Sequence, residues 1–200
     1  IFKKYVINPA NDGLFHILDK ENGKFIYSDY LEQDKSKASI LLNNDIVANP
    51  IIFKNKLFIM SHSGTLATYE MKEFEVLWKL PIGGSKTPTI SGNSLFVIDN
   101  EGLLIAVDIE TGDIRWSLKL KNNIEKGYFF KSKIRISFEG PFLINNKLLI
   151  FSDNEFLNIV NPFDGKLEKV IKFDRLGSTP IFVNNRMIII NSDGDLKIYK

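Results

Sequence analysis

Cysteine is missing from all 200 residues. That excludes disulfides, thiolate metal sites and a cysteine nucleophile in this chain. Histidine occurs only at His16 and His62. They stand in different parts of the chain, and no spaced ligand motif accompanies them, so both read as packed or solvated side chains rather than metal ligands. No apolar run approaches the length of a membrane-spanning helix. Neither sign of charge is in excess: 26 Lys and Arg face 24 Asp and Glu, for a net charge of +2. A nucleic-acid binder would show a basic stripe, and none is present. No stretch keeps a helical period, and no Gly-x-Ser-x-Gly elbow occurs. The chain begins at Ile1 rather than Met, so an upstream portion is expected.

What the chain has is an apolar content of 44%, enough for a sizeable core, and an internal repeat. Pro50, Pro88, Pro141 and Pro180 anchor four copies. Fourteen residues beyond them lie Gly64, Gly102, Glu155 and Gly194, each in a turn such as Asp99-Asn100-Glu101-Gly102 or Asn191-Ser192-Asp193-Gly194. A further N-terminal copy carries Asn11-Asp12-Gly13. Six residues past these turns stand Asp19, Glu70, Asp108 and Asn161; ten past, Gly23, Phe74, Gly112 and Gly165; fourteen past, Tyr27, Trp78, Trp116 and Lys169. Agreement at so many fixed offsets marks a repeat architecture.

Each repeat holds four short apolar runs separated by Gly, Asn and Asp, which predicts four strands of about five residues. The second and third runs are almost continuously apolar, as in Leu103-Leu104-Ile105-Ala106-Val107. A half-exposed strand would alternate, so these strands are expected to be covered on both faces by neighbouring sheets. Four strands per repeat at a period near 38 residues predict an all-β propeller of four-stranded antiparallel blades. The repeats run approximately over 1–47, 48–86, 87–139, 140–178 and 179–200. Complete blades should begin near Pro50, Pro88 and Pro141, with partial blades at either end.

The stretch Ala106-Val107-Asp108-Ile109-Glu110-Thr111-Gly112-Asp113-Ile114-Arg115-Trp116 resembles the repeat of quinoprotein-like (PQQ-like) propellers, Ala-x-Asp-x-x-Thr-Gly-x-x-x-Trp. Within that superfamily the chain resembles the BamB family of outer-membrane assembly lipoproteins. The resemblance is carried by Asn44 to Pro50, Ile82 to Pro88, Arg135 to Pro141 and the ending Ser192 to Lys200. It implies an incomplete propeller, about half of an eight-bladed ring. It also implies that Trp78 and Trp116, with Gly64, Gly102, Gly112, Gly165 and Gly194, serve blade docking. Glu155 and Lys169 depart from this pattern and predict a more loosely docked fourth repeat.

What the resemblance implies about function is a non-catalytic periplasmic scaffold at the outer membrane. It would be held by a lipid anchor outside this chain and would bind a BamA-like core subunit of the β-barrel assembly machinery. No cofactor is expected. The alternatives are a fragment of a quinoprotein dehydrogenase, which would need a quinone, calcium and a catalytic Asp at the propeller axis, and a periplasmic ligand-binding propeller. The segment Gly83-Gly84-Ser85-Lys86-Thr87 precedes a strand instead of a helix, so it reads as an inter-blade connection and not a phosphate loop.

Two long connections, Glu32–Val47 and Asn122–Glu139, interrupt the period, and long loops on a rigid scaffold often carry binding. The second holds Tyr128, Phe129 and Lys131, which are either candidate partner contacts or part of an inserted segment with a solvated face. The family's partner surface includes an Asp-x-Asp loop ahead of a first strand. Here the matching positions are Asp45-Ile46-Val47, with Val47 in place of the second acid. Asp45 is therefore either a partner contact or a turn-forming residue bonded to its own backbone.

Overall fold

The computed structural model describes residues 4–31, 45–120, 123–126 and 132–199. These residues form antiparallel sheets. Strands β4 (Ile51–Phe53), β5 (Lys56–Met60), β6 (Leu66–Glu70) and β7 (Val76–Leu80) make one four-stranded sheet in sequence order. The pattern recurs in β8 (Thr89–Ser91), β9 (Ser94–Ile98), β10 (Leu103–Asp108) and β11 (Ile114–Lys119). It recurs again in β14 (Phe138–Ile144), β15 (Lys147–Ser152), β16 (Phe156–Val160) and β17 (Leu167–Lys172). Three-stranded sheets precede and follow them: β1 (Tyr5–Pro9), β2 (Leu14–Asp19) and β3 (Phe25–Tyr30), then β18 (Ile181–Val183), β19 (Arg186–Ile190) and β20 (Leu196–Tyr199). This is an incomplete multi-bladed β-propeller. The long connection ahead of β14 contains a hairpin that the repeat does not announce, β12 (Asn123–Lys126) paired with β13 (Ser132–Arg135). A single 3-10 turn, Asn11–Gly13, separates β1 from β2. No helix among the described residues is long and apolar enough to cross a membrane. The chain divides into two compact units, Ile1–Arg115 and Trp116–Lys200.

The turns explain the register. The first and second strands of three sheets are joined by Lys54-Asn55, Asn145-Asn146 and Asn184-Asn185, and both residues of each pair have positive φ. Asparagine tolerates that conformation, and two such residues in succession twist the backbone as a tight hairpin requires. The turn between second and third strands is built by a side chain three residues before the repeat glycine. Ser61 Oγ accepts from the backbone N–H of Gly64 and Thr65, Asp99 Oδ1 from Glu101 and Leu103, and Asn191 Oδ1 from Asp193 and Asp195. Six residues past each turn the same device recurs, with Asp19, Glu70 and Asp108 each accepting two backbone N–H groups.

The core lies where continuous apolar runs predict it. Leu57–Met60, Leu66–Tyr69 and Leu104–Val107 are buried residue after residue, so both faces of these strands are covered. The first unit holds one cluster around Phe58, Leu66, Trp78, Leu95, Val97, Ile105 and Val107 and another around Phe15, Ile17, Leu57, Ile59 and Tyr69. In contrast, β17 is exposed along its whole length.

Glu155 occupies the turn position held by glycine in the other copies and keeps the left-handed backbone, with φ 68° against 77° at Gly102 and 89° at Gly194. Its Cβ pays a steric cost there that glycine avoids, about 1–2 kcal/mol. Replacing the exposed Glu155 by Gly is therefore expected to stabilise the protein by about 0.5–1 kcal/mol after the greater chain entropy of glycine is offset. Thermal unfolding of the variant should show a midpoint raised by about 2–4 °C.

Tyr69 is fully buried, and its hydroxyl donates to Asp29 Oδ2 at 2.9 Å, joining two neighbouring sheets. Burial pushes its phenol far above the usual tyrosine range, and the hydrogen bond to Asp29 and the charge of Asp29 add to the rise. A raised pKa contributes stability in full below the unfolded value near 10 and loses it as the pH climbs toward the folded one. Stability measured by urea unfolding should thus fall above about pH 10, and Tyr69→Phe should flatten that fall.

Candidate partner-binding surface

At one end of four of the sheets, the turn between second and third strands is tied to the connector that leads into the first strand. The backbone N–H of His62 donates to the carbonyl of Asp45 at 2.8 Å, and that of Asn100 to Gly83 at 3.3 Å. In the second unit, Asp153 donates to Ser137 at 3.0 Å and Ser192 to Arg175 at 2.9 Å. The four donors stand two residues before the turn residues Gly64, Gly102, Glu155 and Gly194. The acceptors stand four or five residues before Pro50, Pro88, Pro141 and Pro180. This clasp is a repeated backbone device, and Asp45 belongs to it through its carbonyl.

The clasp also sets what Asp45 and its neighbours present. Asp45 is half-buried, Ile46 and Ala48 are buried and pin the connector, and Val47 between them is 55% exposed. Asn49 N–H donates to Thr87 Oγ1 at 3.3 Å, and Asn100 Nδ2 reaches the carbonyl of His62 at 2.6 Å. The connectors of successive sheets thus lie side by side in the first unit. Their close approach explains the glycine pair. A Cβ on Gly83 would lie 2.5 Å from the backbone nitrogen of Gly64, and one on Gly84 would lie 2.7 Å from the carbonyl of Ile98. Neither residue has room for a side chain.

Tyr128, Phe129 and Lys131 lie outside the described residues. The docking positions follow one rule. The fourteenth residue past one turn sits on the tenth residue past the next. Trp78 packs on Gly112, where an added Cβ would meet the indole at 2.9 Å, and Trp116 packs on Gly165, where it would meet the ring at 2.5 Å. Each indole Nε1–H donates to the carbonyl three residues before its glycine, Trp78 to Ile109 at 3.3 Å and Trp116 to Pro162 at 3.0 Å. Tyr27 stacks on Phe74 with ring centroids 5.0 Å apart and 19° between planes. Gly23, Phe74, Gly112 and Gly165 all have positive φ. Among the turn glycines, Gly102 and Gly194 are left-handed, whereas Gly64 is not, and an added Cβ on Gly64 meets nothing within 4 Å.

Among the described residues no group of three or more His, Cys, Asp or Glu is placed to hold a metal ion. His16 lies on β2 and His62 in the turn after β5.

A family model described as "Outer membrane protein assembly factor BamB" matches residues 2–118. The chain belongs to the BamB family. Among solved structures, BamB from Moraxella catarrhalis is similar over 99% of this chain and 56% of that one, with a TM-score of 0.76 and 17% identity. The computationally designed Ika8 protein is similar over 100% and 56%, with a TM-score of 0.72 and 15% identity. A quinohemoprotein alcohol dehydrogenase from Pseudomonas putida HK5 is similar over 88% and 34%, with a TM-score of 0.64 and 12% identity. These likenesses establish the fold. The chain spans just over half the length of the Moraxella BamB. No curated protein sequence matches it.

Two glycine substitutions separate the clasp from the turn it grips. Gly83→Ala is expected to destabilise by about 2–3 kcal/mol, because backbone on both sides must shift. Gly64→Ala should stay within about 0.5 kcal/mol of the parent. Chemical denaturation of both variants measures the difference.

Proposed function

We propose that this chain is part of a non-catalytic periplasmic scaffold, an accessory subunit of the outer-membrane β-barrel assembly machinery. The scaffold binds the periplasmic domains of a BamA-like core subunit and stays at the outer membrane through a lipid anchor outside the chain. Membership of the BamB family over residues 2–118 carries this reading. The clasped connectors supply a surface suited to it, because a loop held by backbone bonds presents its side chains with little ordering cost on binding. In this proposal Asp45 and Val47 form the contact in the first unit: the carboxylate faces a basic side chain of the partner, and the exposed valine meets an apolar one. A rim carboxylate of this kind gives specificity and association rate more than affinity. Tyr128, Phe129 and Lys131 are assigned to the same partner as a second contact.

The test is binding of the full-length protein to the isolated periplasmic domains of the core subunit, with melting temperature recorded for every variant. Val47→Lys is expected to weaken binding about tenfold, since a cation is forced against an apolar contact and beside the partner's basic side chain. Asp45→Ala should weaken it about fivefold at low salt, near 1 kcal/mol. Both should leave the melting temperature unchanged. Absence of binding by the parent protein overturns the scaffold reading, and so does quinone- and calcium-dependent turnover of an alcohol. If Asp45→Ala lowers the melting temperature while affinity per folded molecule holds, Asp45 is turn-forming and not a contact.

A further inference from the structure

Eight positions past the turn residue, each repeat places one residue at the tip of the turn between its third and fourth strands. In three copies it is charged and exposed: Glu21, Lys72 and Glu110. In the β14–β17 sheet it is Phe163, with 81% of its surface exposed. One exposed apolar side chain does not by itself imply a partner; what sets Phe163 apart is an aromatic ring at a position that is charged in the other copies.

The turn that carries Phe163 is rigid. Asn161 Oδ1 accepts from the N–H of Phe163 at 2.9 Å, and the carbonyl of Asn161 accepts from Gly165 at 3.0 Å. Asp164 Oδ1 accepts from the N–H of Lys166 at 3.0 Å. From below, the indole of Trp116 packs on Gly165 and donates to the carbonyl of Pro162. These bonds fix the backbone that carries Phe163, so the position of its Cα is set in advance of any contact.

Charge decides what kind of contact it is. The Asn145 and Asn184–Arg186 tips of the neighbouring sheet ends line one groove, so the turn ends of β14–β17 and β18–β20 lie together. This end of the two sheets carries Lys147, Lys166, Lys169 and Arg186 against two carboxylates, Asp164 and Glu168. Glu168 is already paired with Lys147 at 2.5 Å. The opposite, clasp end of the same sheets holds Glu139, Asp153, Glu155, Asp174 and Asp193 against Lys172, Arg175 and Lys197, which pairs with Asp174. A protruding aromatic within a basic rim is the pattern by which a protein rests on an anionic lipid surface: the ring enters the headgroup boundary and the cations sit over phosphates. An apolar pocket on another protein would match the ring but would leave the surrounding cations without a role.

We propose that the Phe163 end of the second unit is a membrane-contact surface for anionic phospholipid. One ring and a few cations bind weakly and reversibly, so the surface orients a protein already held near a bilayer rather than anchoring it alone. This end lies away from the clasp of its own sheets, and the inference stands independently of the Asp45 contact.

The experiment is co-sedimentation of the full-length polypeptide, purified without acylation, with vesicles of phosphatidylglycerol and phosphatidylethanolamine or of phosphatidylcholine alone. Binding is expected on the anionic vesicles and should be lost in high salt. Phe163→Glu, and separately Lys166→Glu with Arg186→Glu, should each lower the bound fraction about tenfold. Lys72→Glu, at the equivalent tip of another sheet, should leave it unchanged, and circular dichroism should show every variant folded. Equal binding to phosphatidylcholine overturns the proposal, as does full retention of binding by Phe163→Glu. Loss of core-subunit capture by Phe163→Glu with vesicle binding intact also overturns it and reassigns the ring to a protein pocket.

Discussion

A large ring on the fourth strand of one sheet lies against a left-handed turn of the next, and the rest of the fold depends on that contact. Strands of four or five residues with such short turns are marginal as isolated sheets. They persist here because each sheet is covered by its neighbour, and the ring is where the cover is tightest. Trp78 is only 9% exposed. Its indole needs the absence of a Cβ at Gly112, its N–H needs the carbonyl of Ile109, and that carbonyl is positioned by the same turn that Asp108 caps. Removal of such a ring from a packed site costs about 3–5 kcal/mol, comparable to much of the stability of an ordinary domain.

The contact also shows how one repeat drifts without breaking the fold. Where the receiving position is glycine, the ring is Trp; where it is Phe74, the ring is the smaller Tyr27, and the two stack flat. Phe74 keeps the left-handed φ of the glycines despite the steric cost. The neighbouring sheets hold the turn in place, and the aromatic stack with Tyr27, together with an edge contact to Tyr5, offsets the strain. Lys169 takes the ring's place on β17, and that strand is exposed throughout.

The sheets are legible in the sequence because three signals coincide: proline just ahead of the first strand, or within it at Pro141 of β14, turn formers at a fixed offset, and doubly buried apolar runs between them. The hairpin β12–β13 is not legible, since it belongs to no repeat and its strands lack an apolar pattern. The candidate surface is legible only in part. Asp45 stands out by resemblance, but what holds it is a backbone carbonyl, and any residue type supplies one; Gly83, Ser137 and Arg175 share its role without sharing its chemistry. The fixed distance to proline is the signal that finds all four. Phe163 escapes a search for agreement among copies because it is the position where one copy disagrees.

The clasp has a consequence for how this architecture accommodates change. The residue that accepts the hydrogen bond stands four or five positions ahead of proline in every copy, while the proline anchors themselves are 38, 53 and 39 residues apart. All but one residue of the variation in length is therefore taken up before the clasp, and the last few residues enter the sheet from nearly the same mark. An inserted segment is mechanically insulated from the blade that follows it. Evolution can lengthen, recolour or delete the material upstream of each mark as a separate module, and the strands beyond it keep their alignment.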